Sequence, residues 1–417
     1  MPSAQLPGES VPHDGSLPDP RLLAPAAPAF GVYVHVPFCR VRCGYCDFNT
    51  YTAGELTRGG SLDGYVEAAV AEMDLAAVVL AGPAEQAPRR VDTVFFGGGT
   101  PTLLAVTQLA GLLRAIDQRW GLAVGAEVTT EANPDTVTAR GAHALAAAGF
   151  TRVSLGMQSA VPHVLRTLDR THDPSRVGAA VEAVRDAGMQ VSLDLIYGTP
   201  GESLADWEAS IDAALALQPD HLSAYALTIE PGTAMGAAVR RGRLARPSDD
   251  DEADKYELLD ERLRDAGFDW YEISNWTHGS GLRCRHNMGY WTGADWWGIG
   301  PGAHSHVRGI RWWNVKHPAA YADRLSASLS PAHAREVLTA EQRYDEGVML
   351  HVRTREGLDL SSLRPGGRAA VERLVAGGLL DQDEADQGRA VLTRRGRLLT
   401  DTVVHGLLST GPTPVPA

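Results

Sequence analysis

The chain has 417 residues, of which 44% are hydrophobic and 21% are charged, and its formal net charge is −13. These values indicate a globular protein with one large domain and one or two smaller ones, and the acidic balance disfavours a nucleic acid as the main partner. No apolar run approaches the roughly 20 residues of a membrane-spanning helix, and no secretory signal is recognisable. Four cysteines, three of them clustered, do not form a disulfide framework, so we expect a cytoplasmic protein.

Composition and periodicity divide the chain into five predicted regions. A Pro-rich leader without regular structure is expected first, then an α/β domain, an extension, a small helical domain and a tail. The predicted bounds are 1–29, 30–250, 251–334, 335–408 and 409–417.

The α/β domain is predicted from apolar segments of strand length that alternate with amphipathic helical segments. The six predicted strands are 31–36, 91–96, 127–132, 152–157, 191–196 and 221–227. Strands separated by helices indicate a parallel sheet, either a full or partial β/α barrel or an open doubly wound sheet. In each of these folds, ligands bind at the C-terminal ends of the strands.

The pattern changes after about residue 230. A charged amphipathic helix is predicted over 249–268, followed by a Trp- and Gly-rich stretch from Trp270 to Trp313. Residues 335–408 read as helix, "GLL", short strand and "LTRRGRLL", an order that resembles a winged helix. Because the chain is acidic and this region has no obvious basic face, we favour a docking or lid role over DNA binding.

Three cysteines, Cys39, Cys43 and Cys46, lie just past the end of the first predicted strand. Three thiolates on one loop can hold a [4Fe-4S] cluster and leave one iron open. A tetrahedral zinc site is the alternative, with His35 or Cys284 as the fourth ligand. A disulfide is disfavoured because it would leave one thiol over. Spacing alone favours the cluster without deciding between cluster and zinc.

Further phrases accompany the cysteine loop "CRVRCGYC". They are Tyr33 before the loop, "GGGTP" (97–101), "TTEANPD" (129–135), "SLGMQS" (154–159), "LDRTH" (168–172) and "DLIYGTPGES" (194–203). Together they resemble the radical S-adenosylmethionine (SAM) superfamily, and within it the group around oxygen-independent coproporphyrinogen III oxidase. The resemblance implies a partial (β/α)6 barrel, a [4Fe-4S] cluster on the three cysteines, and SAM bound through its amino and carboxylate groups to the open iron.

The resemblance also implies a set of SAM-binding residues. They are Tyr33, Tyr45, Gly98, Gly99, Thr100, Glu131, Gln158, Arg170 and Asp194. All but the two tyrosines have a structural alternative: an ordinary strand-to-helix turn at 97–101, a helix cap at Glu131, surface positions for Gln158 and Arg170, and a strand end at Asp194. Asp194 lies in an apolar run, where an unpaired carboxylate is costly, so it needs a partner such as the hydroxyls of a ribose.

Two activities occur in this group. The oxidase decarboxylates two propionates by radical hydrogen abstraction and has a fourth cysteine two residues after the third, where this chain has Phe48. The other branch consists of haem chaperones, which bind haem and pass it to recipient proteins. The segment "HNMGYW" matches their His-Asn-x-x-Tyr-Trp signature, with His286, Asn287, Tyr290 and Trp291. We therefore predict a haem chaperone that carries a [4Fe-4S] cluster and SAM, with the oxidase as the alternative.

An imidazole beside large aromatic rings suits a flat macrocycle with an iron atom. In the alternative, His286 and Asn287 hydrogen-bond their loop while the two aromatic residues fill a joint between domains. Cys284 is a further candidate ligand, and His304 and His306 would share one strand face. The expected partners are haem, recipient haemoproteins and an electron donor to the cluster, with no nucleic acid. The sequence leaves homodimerisation, peripheral membrane contact and a radical enzyme with another substrate open.

Overall fold

The computed structural model describes residues 8–19, 23–55, 61–81 and 89–409. Its strands are β1 (Phe30–Val36), β2 (Val91–Gly98), β3 (Leu122–Ala132), β4 (Arg152–Gln158), β5 (Gln190–Tyr197), β6 (His221–Ala226), β7 (Asp269–Glu272), β8 (Asn275–Thr277), β9 (Asp295–Ile299), β10 (His304–Val307), β11 (Ile310–Asn314), β12 (Ala332–Val337), β13 (Leu358–Asp359) and β14 (Arg389–Ala390).

The helices follow in the same chain order. They are α1 (Leu62–Ala81), α2 (Val106–Trp120), α3 (Ala139–Ala147), α4 (Pro162–Thr167), α5 (Ser175–Asp186), α6 (Leu204–Ala216), α7 (Ala234–Arg240), α8 (Asp249–Asp265), α9 (Arg285–Trp291), α10 (Pro318–Ser326), α11 (Ala340–His351), α12 (Pro365–Ala376), α13 (Gln382–Asp386), α14 (Arg394–Leu398) and α15 (Thr400–Leu408). In the described part of the chain, no helix is both long and apolar enough to cross a membrane.

The chain divides into two compact units. The first contains the described residues up to Lys255 together with Ala294–Val337, and the second contains Tyr256–Gly293 together with the described residues from Leu338 onward. The segment that we predicted as one extension, 251–334, therefore contributes to both units.

In the first unit, β1 to β6 are neighbours in sequence order and all run parallel. This arrangement confirms the predicted α/β fold, and each of the six predicted strands corresponds to one of β1–β6. Because right-handed crossovers that always advance in one direction put their helices on the same face, the opposite face of the sheet stays free of them. We call that opposite face the inner face.

Side chains along β1 alternate between the two faces of the sheet. Val32, Val34 and Val36 are fully buried on the outer face, the side of the crossover helices. Tyr33 and His35 alternate with them and lie on the inner face, where the two side chains are hydrogen-bonded to each other. The inner face at the ends of the strands is therefore the place where polar side chains can meet.

Four more strands extend the sheet beyond β1, which the sequence pattern did not reveal. Strand β9 runs parallel to β1, and β10, β11 and β12 continue the sheet in antiparallel order. Part of the predicted leader lies along the last of these strands: the backbone of Glu9 exchanges two hydrogen bonds with Arg335, of 2.8 and 2.9 Å. Residues 1–7 and 20–22 of that leader lie outside the described residues.

The second unit is mainly helical, as we predicted for the C-terminal region. Its core contains buried residues of α11, α12 and α15, among them Val348, Leu374 and Leu407. The short strands β13 and β14 pair in antiparallel fashion. A buried ion pair joins Arg397 to Asp260, with Nη2 and Oδ2 2.7 Å apart.

Candidate functional site

The loop after β1 carries the three clustered cysteines at the C-terminal edge of the parallel sheet. The backbone N–H of Cys39 donates to the carbonyl of Tyr51 at 3.0 Å, and the N–H of Tyr51 donates to Pro37 at 2.7 Å. The two ends of the loop are thereby tied together. All three thiols are reduced and partly exposed. The loop is thus closed at its base and presents its sulfurs at its tip.

A buried asparagine, Asn49, anchors this loop to the neighbouring part of the first unit. Its Nδ2 donates to the carbonyls of Pro301 at 2.9 Å and Lys316 at 2.8 Å. Its own carbonyl accepts a 2.9 Å hydrogen bond from Nε2 of His35. Because a carbonyl only accepts, this contact fixes the proton of His35 on Nε2, and Nδ1 then accepts from the Tyr33 hydroxyl at 3.0 Å.

The thiols lie close enough to influence one another electrostatically. Burial, with the neighbouring Cys43, raises the pKa of Cys39, and burial raises the pKa of the Cys46 thiol to about 12. Arg170 places Nη1 3.6 Å from the Cys43 sulfur. A bound metal cation would lower the pKa of these thiols, because a thiol that coordinates a metal is deprotonated.

Among the described residues, no group of three or more His, Cys, Asp or Glu side chains is arranged to hold a metal ion. The ligands of one zinc ion must converge on a single point, with Zn–S distances of about 2.3 Å. The thiolates of an iron–sulfur cluster instead bind different irons and are spaced further apart. Both ring nitrogens of His35, one of the two candidate fourth ligands for zinc, are hydrogen-bonded to Tyr33 and Asn49.

The glycine run at 97–99 packs directly on the base of the cysteine loop. Gly99 N–H donates to Val36 and Thr100 N–H donates to Phe38, both at 2.8 Å. A Cβ at Gly99 would lie 2.5 Å from the Phe38 carbonyl oxygen, so glycine is required by the close approach of two backbones. Gly98 has a φ of 106°, which side chains rarely adopt.

Two carboxylates on the inner face form the most strongly perturbed pair in this region. Glu131 accepts from the N–H of Gly98 at 3.0 Å, and Asp194 accepts from Oγ of Ser154 at 3.0 and 2.9 Å. Burial and the charge of Asp194 raise the pKa of Glu131 to about 8, and burial raises the pKa of Asp194 to about 6. Asn133, and not Glu131, caps the following helical turn, so the capping alternative for Glu131 is wrong.

A carboxyl group whose pKa is raised by a neighbouring carboxylate, as Asp194 raises that of Glu131, favours a cationic ligand beside it. SAM carries an ammonium and a sulfonium group, and its ribose hydroxyls can donate to a carboxylate. The pair Glu131 and Asp194 therefore fits SAM chemically, and the partly buried thiols of the loop fit an iron–sulfur cluster.

The remaining predicted SAM residues lie in the same unit. Tyr33 stacks on Phe95 with ring centroids 6.3 Å apart, and Tyr45 packs against an apolar cluster that includes Leu168 and Met235. Gln158 adopts an unusual positive φ of 62° at the end of β4. Arg170, besides its contact with Cys43, donates from Nη2 to the Gly156 carbonyl at 2.7 Å, so it is not a simple surface residue.

The predicted haem-binding residues lie in the second unit, on α9. His286 is buried, and its Nε2 lies 2.9 Å from the hydroxyl of Tyr290, one helical turn later. Burial lowers the pKa of His286 to about 3, so its imidazole is neutral. Asn287, Tyr290 and Trp291 are partly exposed. Cys284 immediately precedes the helix and is buried.

Sequence reasoning missed one residue that supports the cysteine loop, Glu72 of α1. Its carboxylate is fully buried and accepts hydrogen bonds from Gly300 N–H, Asn314 Nδ2 and the Tyr321 hydroxyl, of 2.8, 2.7 and 2.5 Å. Gly300 precedes Pro301, which holds Asn49. The sequence does contain a feature that points to Glu72. It shares a helix face with the buried Ala68 and Ala76, and a carboxylate on an apolar helix face indicates a buried polar partner.

Comparisons with known proteins agree with these features. Residues 33–214 match the model of the radical SAM superfamily. The chain is 52% identical to the heme chaperone HemW of Mycobacterium tuberculosis over 91% of this chain and 95% of that protein. It is 32% identical to the heme chaperone HemW of Bacillus subtilis over 90% of this chain and 98% of that protein.

A solved structure with the same fold covers most of the chain. It is the coproporphyrinogen III oxidase HemN of Escherichia coli, a radical SAM enzyme, with a TM-score of 0.77 and 23% identity over 91% of this chain and 90% of that chain. At this level of identity the similarity concerns the fold, a mixed α/β architecture with a large, mostly parallel sheet and C-terminal helices.

Proposed function

The chain belongs to the HemW family of radical SAM proteins, and from this premise we propose that it is a haem chaperone, which binds haem and transfers it to recipient haemoproteins. The observation that carries the proposal is the 52% identity that extends over nearly the whole of both chains. If the similarity were limited to the radical SAM domain, it would cover only residues 33–214. The C-terminal region, which includes the His-Asn-x-x-Tyr-Trp segment, is part of the similarity.

The proposed cofactors are a [4Fe-4S] cluster on Cys39, Cys43 and Cys46, and SAM. When bound, the cluster supplies an electron and SAM accepts it. The residues of this chain would bind and orient these groups: the thiols hold the cluster, and Glu131 and Asp194 face the cationic end of SAM or its ribose. Asn49 anchors the cysteine loop through its hydrogen bonds to Pro301 and Lys316. The other proposed SAM contacts are Tyr33, Tyr45, Gly98, Gly99, Thr100, Gln158 and Arg170.

The proposed haem contacts of the second unit are His286, Asn287, Tyr290 and Trp291. Since His286 is neutral, its imidazole can ligate iron without first losing a proton. Its contact with Tyr290 must open before Nε2 can reach an iron atom. We further propose a cytoplasmic location, an electron donor for the cluster, and no nucleic acid as partner.

Phe48 supports the chaperone over the oxidase. Phe48 occupies the position at which the oxidase has its fourth cysteine. Its side chain is 58% exposed, so packing in the core does not explain why this position holds a phenylalanine. The one remaining cysteine of the sequence, Cys284, is a buried residue just before α9.

The test uses the full chain, loaded with its cluster and kept under anaerobic conditions. Incubated with coproporphyrinogen III, SAM and a reductant, it should yield no protoporphyrinogen. Titration with haemin should shift the Soret band and saturate at a fixed stoichiometry. Conversion of coproporphyrinogen at the rate of an oxidase, or failure to bind haemin, would overturn the proposal.

A further inference from the structure

The inner face of the sheet continues past β1 into the antiparallel strands. Tyr33 of β1 pairs in register with Gly298 of β9, and Trp296 and Gly298 share one face. His306 pairs with Trp296, so His304 and His306 of β10 project from the inner face. The predicted shared strand face of these two histidines is thus confirmed, and it belongs to the same surface as Glu131 and Asp194.

His306 has the geometry of a metal ligand. Its Nδ1 lies 3.1 Å from the carbonyl of Ala294, and since a carbonyl only accepts, Nδ1 carries the proton and Nε2 carries the lone pair. Histidines that ligate metals usually donate their other ring N–H to a carbonyl in this way, which fixes tautomer and orientation. The ring of Trp296 lies beside it, with centroids 5.0 Å apart.

His304 is exposed and lies at the end of the strand nearest the cysteine loop. Its ring stacks on Trp313 of β11, with centroids 5.8 Å apart and an angle of 26° between the planes. Its carbonyl accepts a 3.1 Å hydrogen bond from the indole of Trp296, which holds that indole in place. Trp296, His304 and His306 thus form a partly exposed aromatic surface on one face of the sheet, and the buried ring of Trp313 stacks against His304.

Cations border this aromatic surface in a chain that is otherwise acidic. Arg311 is directly opposite His306 on β11, and Lys316 follows the end of that strand. Burial, together with the charges of Lys316 and Arg311, lowers the pKa of His304. Arg311 forms an ion pair with Glu336, whose Oε2 lies 2.6 Å from Arg311 Nη2, and the charge of Asp47 acts on Lys316.

We propose that this patch, formed by Trp296, His304, His306, Arg311 and Trp313, is a haem-binding surface in which His306 ligates the iron. The proposal rests on the proposed function and adds a site in the first unit to the His286 segment. A haem offers what the patch can recognise: a flat apolar ring for the aromatic side chains, an iron for an imidazole, and two propionates for Arg311 and Lys316. Whereas His286 is buried, His304 is exposed and His306 is partly exposed.

The test is a haemin titration of the full chain, prepared with and without its cluster and followed in the Soret region. We compare the natural protein with His306→Ala, His304→Ala and His286→Ala. The matched control is His143→Ala, an exposed histidine on α3. We expect His306→Ala to shift the Soret maximum and to weaken binding at least about tenfold, since even residues that only orient a metal ligand cost about 10- to 100-fold.

A second variant separates iron ligation from packing. Arg311→Gln should weaken haemin binding about threefold and leave the Soret maximum unchanged, because it contacts a propionate and not the iron. With iron-free protoporphyrin IX, His306→Ala should bind like the natural protein, whereas Arg311→Gln should still bind more weakly. This split would not arise if the substitutions merely loosened the sheet.

The two proposals fail in different ways. If the natural protein does not bind haemin, the proposed function is wrong. If it binds haemin and both His306→Ala and His304→Ala retain its affinity and spectrum, while His286→Ala does not, the function stands and the patch is not a haem site.

Discussion

The cysteine loop after β1 and helix α9 both hold residues that we propose as metal ligands, yet the structure presents them differently. The thiols of the loop are partly exposed on a backbone that is hydrogen-bonded at its base and anchored through Asn49. His286 of α9 is buried and hydrogen-bonded to Tyr290. The thiols are partly exposed as they stand, whereas Nε2 of His286 must first break its contact with the Tyr290 hydroxyl to bind an iron atom. That difference is what we expect between a resident cofactor and a transferable cargo.

The strongest test of this comparison removes one thiol from each region. Cys43→Ser should lose most of the bound iron, because a cluster held by three thiolates loses a third of its protein ligands. Cys284→Ser, which changes the residue just before α9, should retain the iron content of the natural protein. Iron and acid-labile sulfide per chain are measured after anaerobic reconstitution. Full iron in Cys43→Ser, or its loss in Cys284→Ser, would contradict the assignment of the loop as the cluster site.

The second prediction concerns the carboxylate pair beside the loop. The pKa of Glu131 is raised from 4.5 to about 8, so the folded state holds a proton that the unfolded state has lost. The free energy of unfolding of the SAM-free protein should therefore fall as pH rises from about 4.5 to about 8. Glu131→Gln should remove much of this fall, which amounts to a few kcal/mol at about 1.4 kcal/mol per pKa unit.

Chemical denaturation at several pH values measures this effect. Glu182→Gln, at an exposed position of α5, is the control and should keep the pH dependence of the natural protein. Saturating SAM should flatten the curve of the natural protein as well, since its cationic group offsets the buried charge. An unchanged slope in Glu131→Gln would mean that this carboxyl is not the group that titrates.

The smallest expected effect lies on α9. Tyr290→Phe removes the hydroxyl that lies 2.9 Å from Nε2 of His286, and should lower the free energy of unfolding by about 1 kcal/mol. If His286 receives haem, the same substitution should speed haemin association several-fold, as measured by stopped-flow absorbance. Tyr344→Phe, which also removes a hydrogen-bonded hydroxyl in the second unit, should cost similar stability without changing the rate. Equal rates in all three proteins would argue against His286 as a ligand.

Much of the first unit could be predicted because its signals are local. The strands β1–β6 are apolar runs of strand length, and the cysteines lie on one short loop, so neither depends on distant partners. The SAM-binding roles of Glu131 and Asp194 were predicted from the resemblance. The structure adds that the charge of Asp194 raises the pKa of Glu131.

The rest depends on contacts between distant parts of the chain. Strands β9–β12 are only four to six residues long, and their Trp- and Gly-rich sequence has no period that separates strand from loop. The support that Asn49 and Glu72 give the cysteine loop joins residues more than 200 positions apart. Whether His286 is buried or accessible is likewise a property of the folded unit and not of its motif.

The pairing of Glu9 with Arg335 has a practical consequence for handling the protein. Strand β12 is the last strand at its end of the sheet, and an uncovered edge offers unpaired backbone groups to another chain. Protein shortened to begin near residue 20 would lose this cover and should dimerise or aggregate through β12, whether or not haem is present. Self-association seen with such shortened protein would therefore reflect the missing segment and not the behaviour of the full chain.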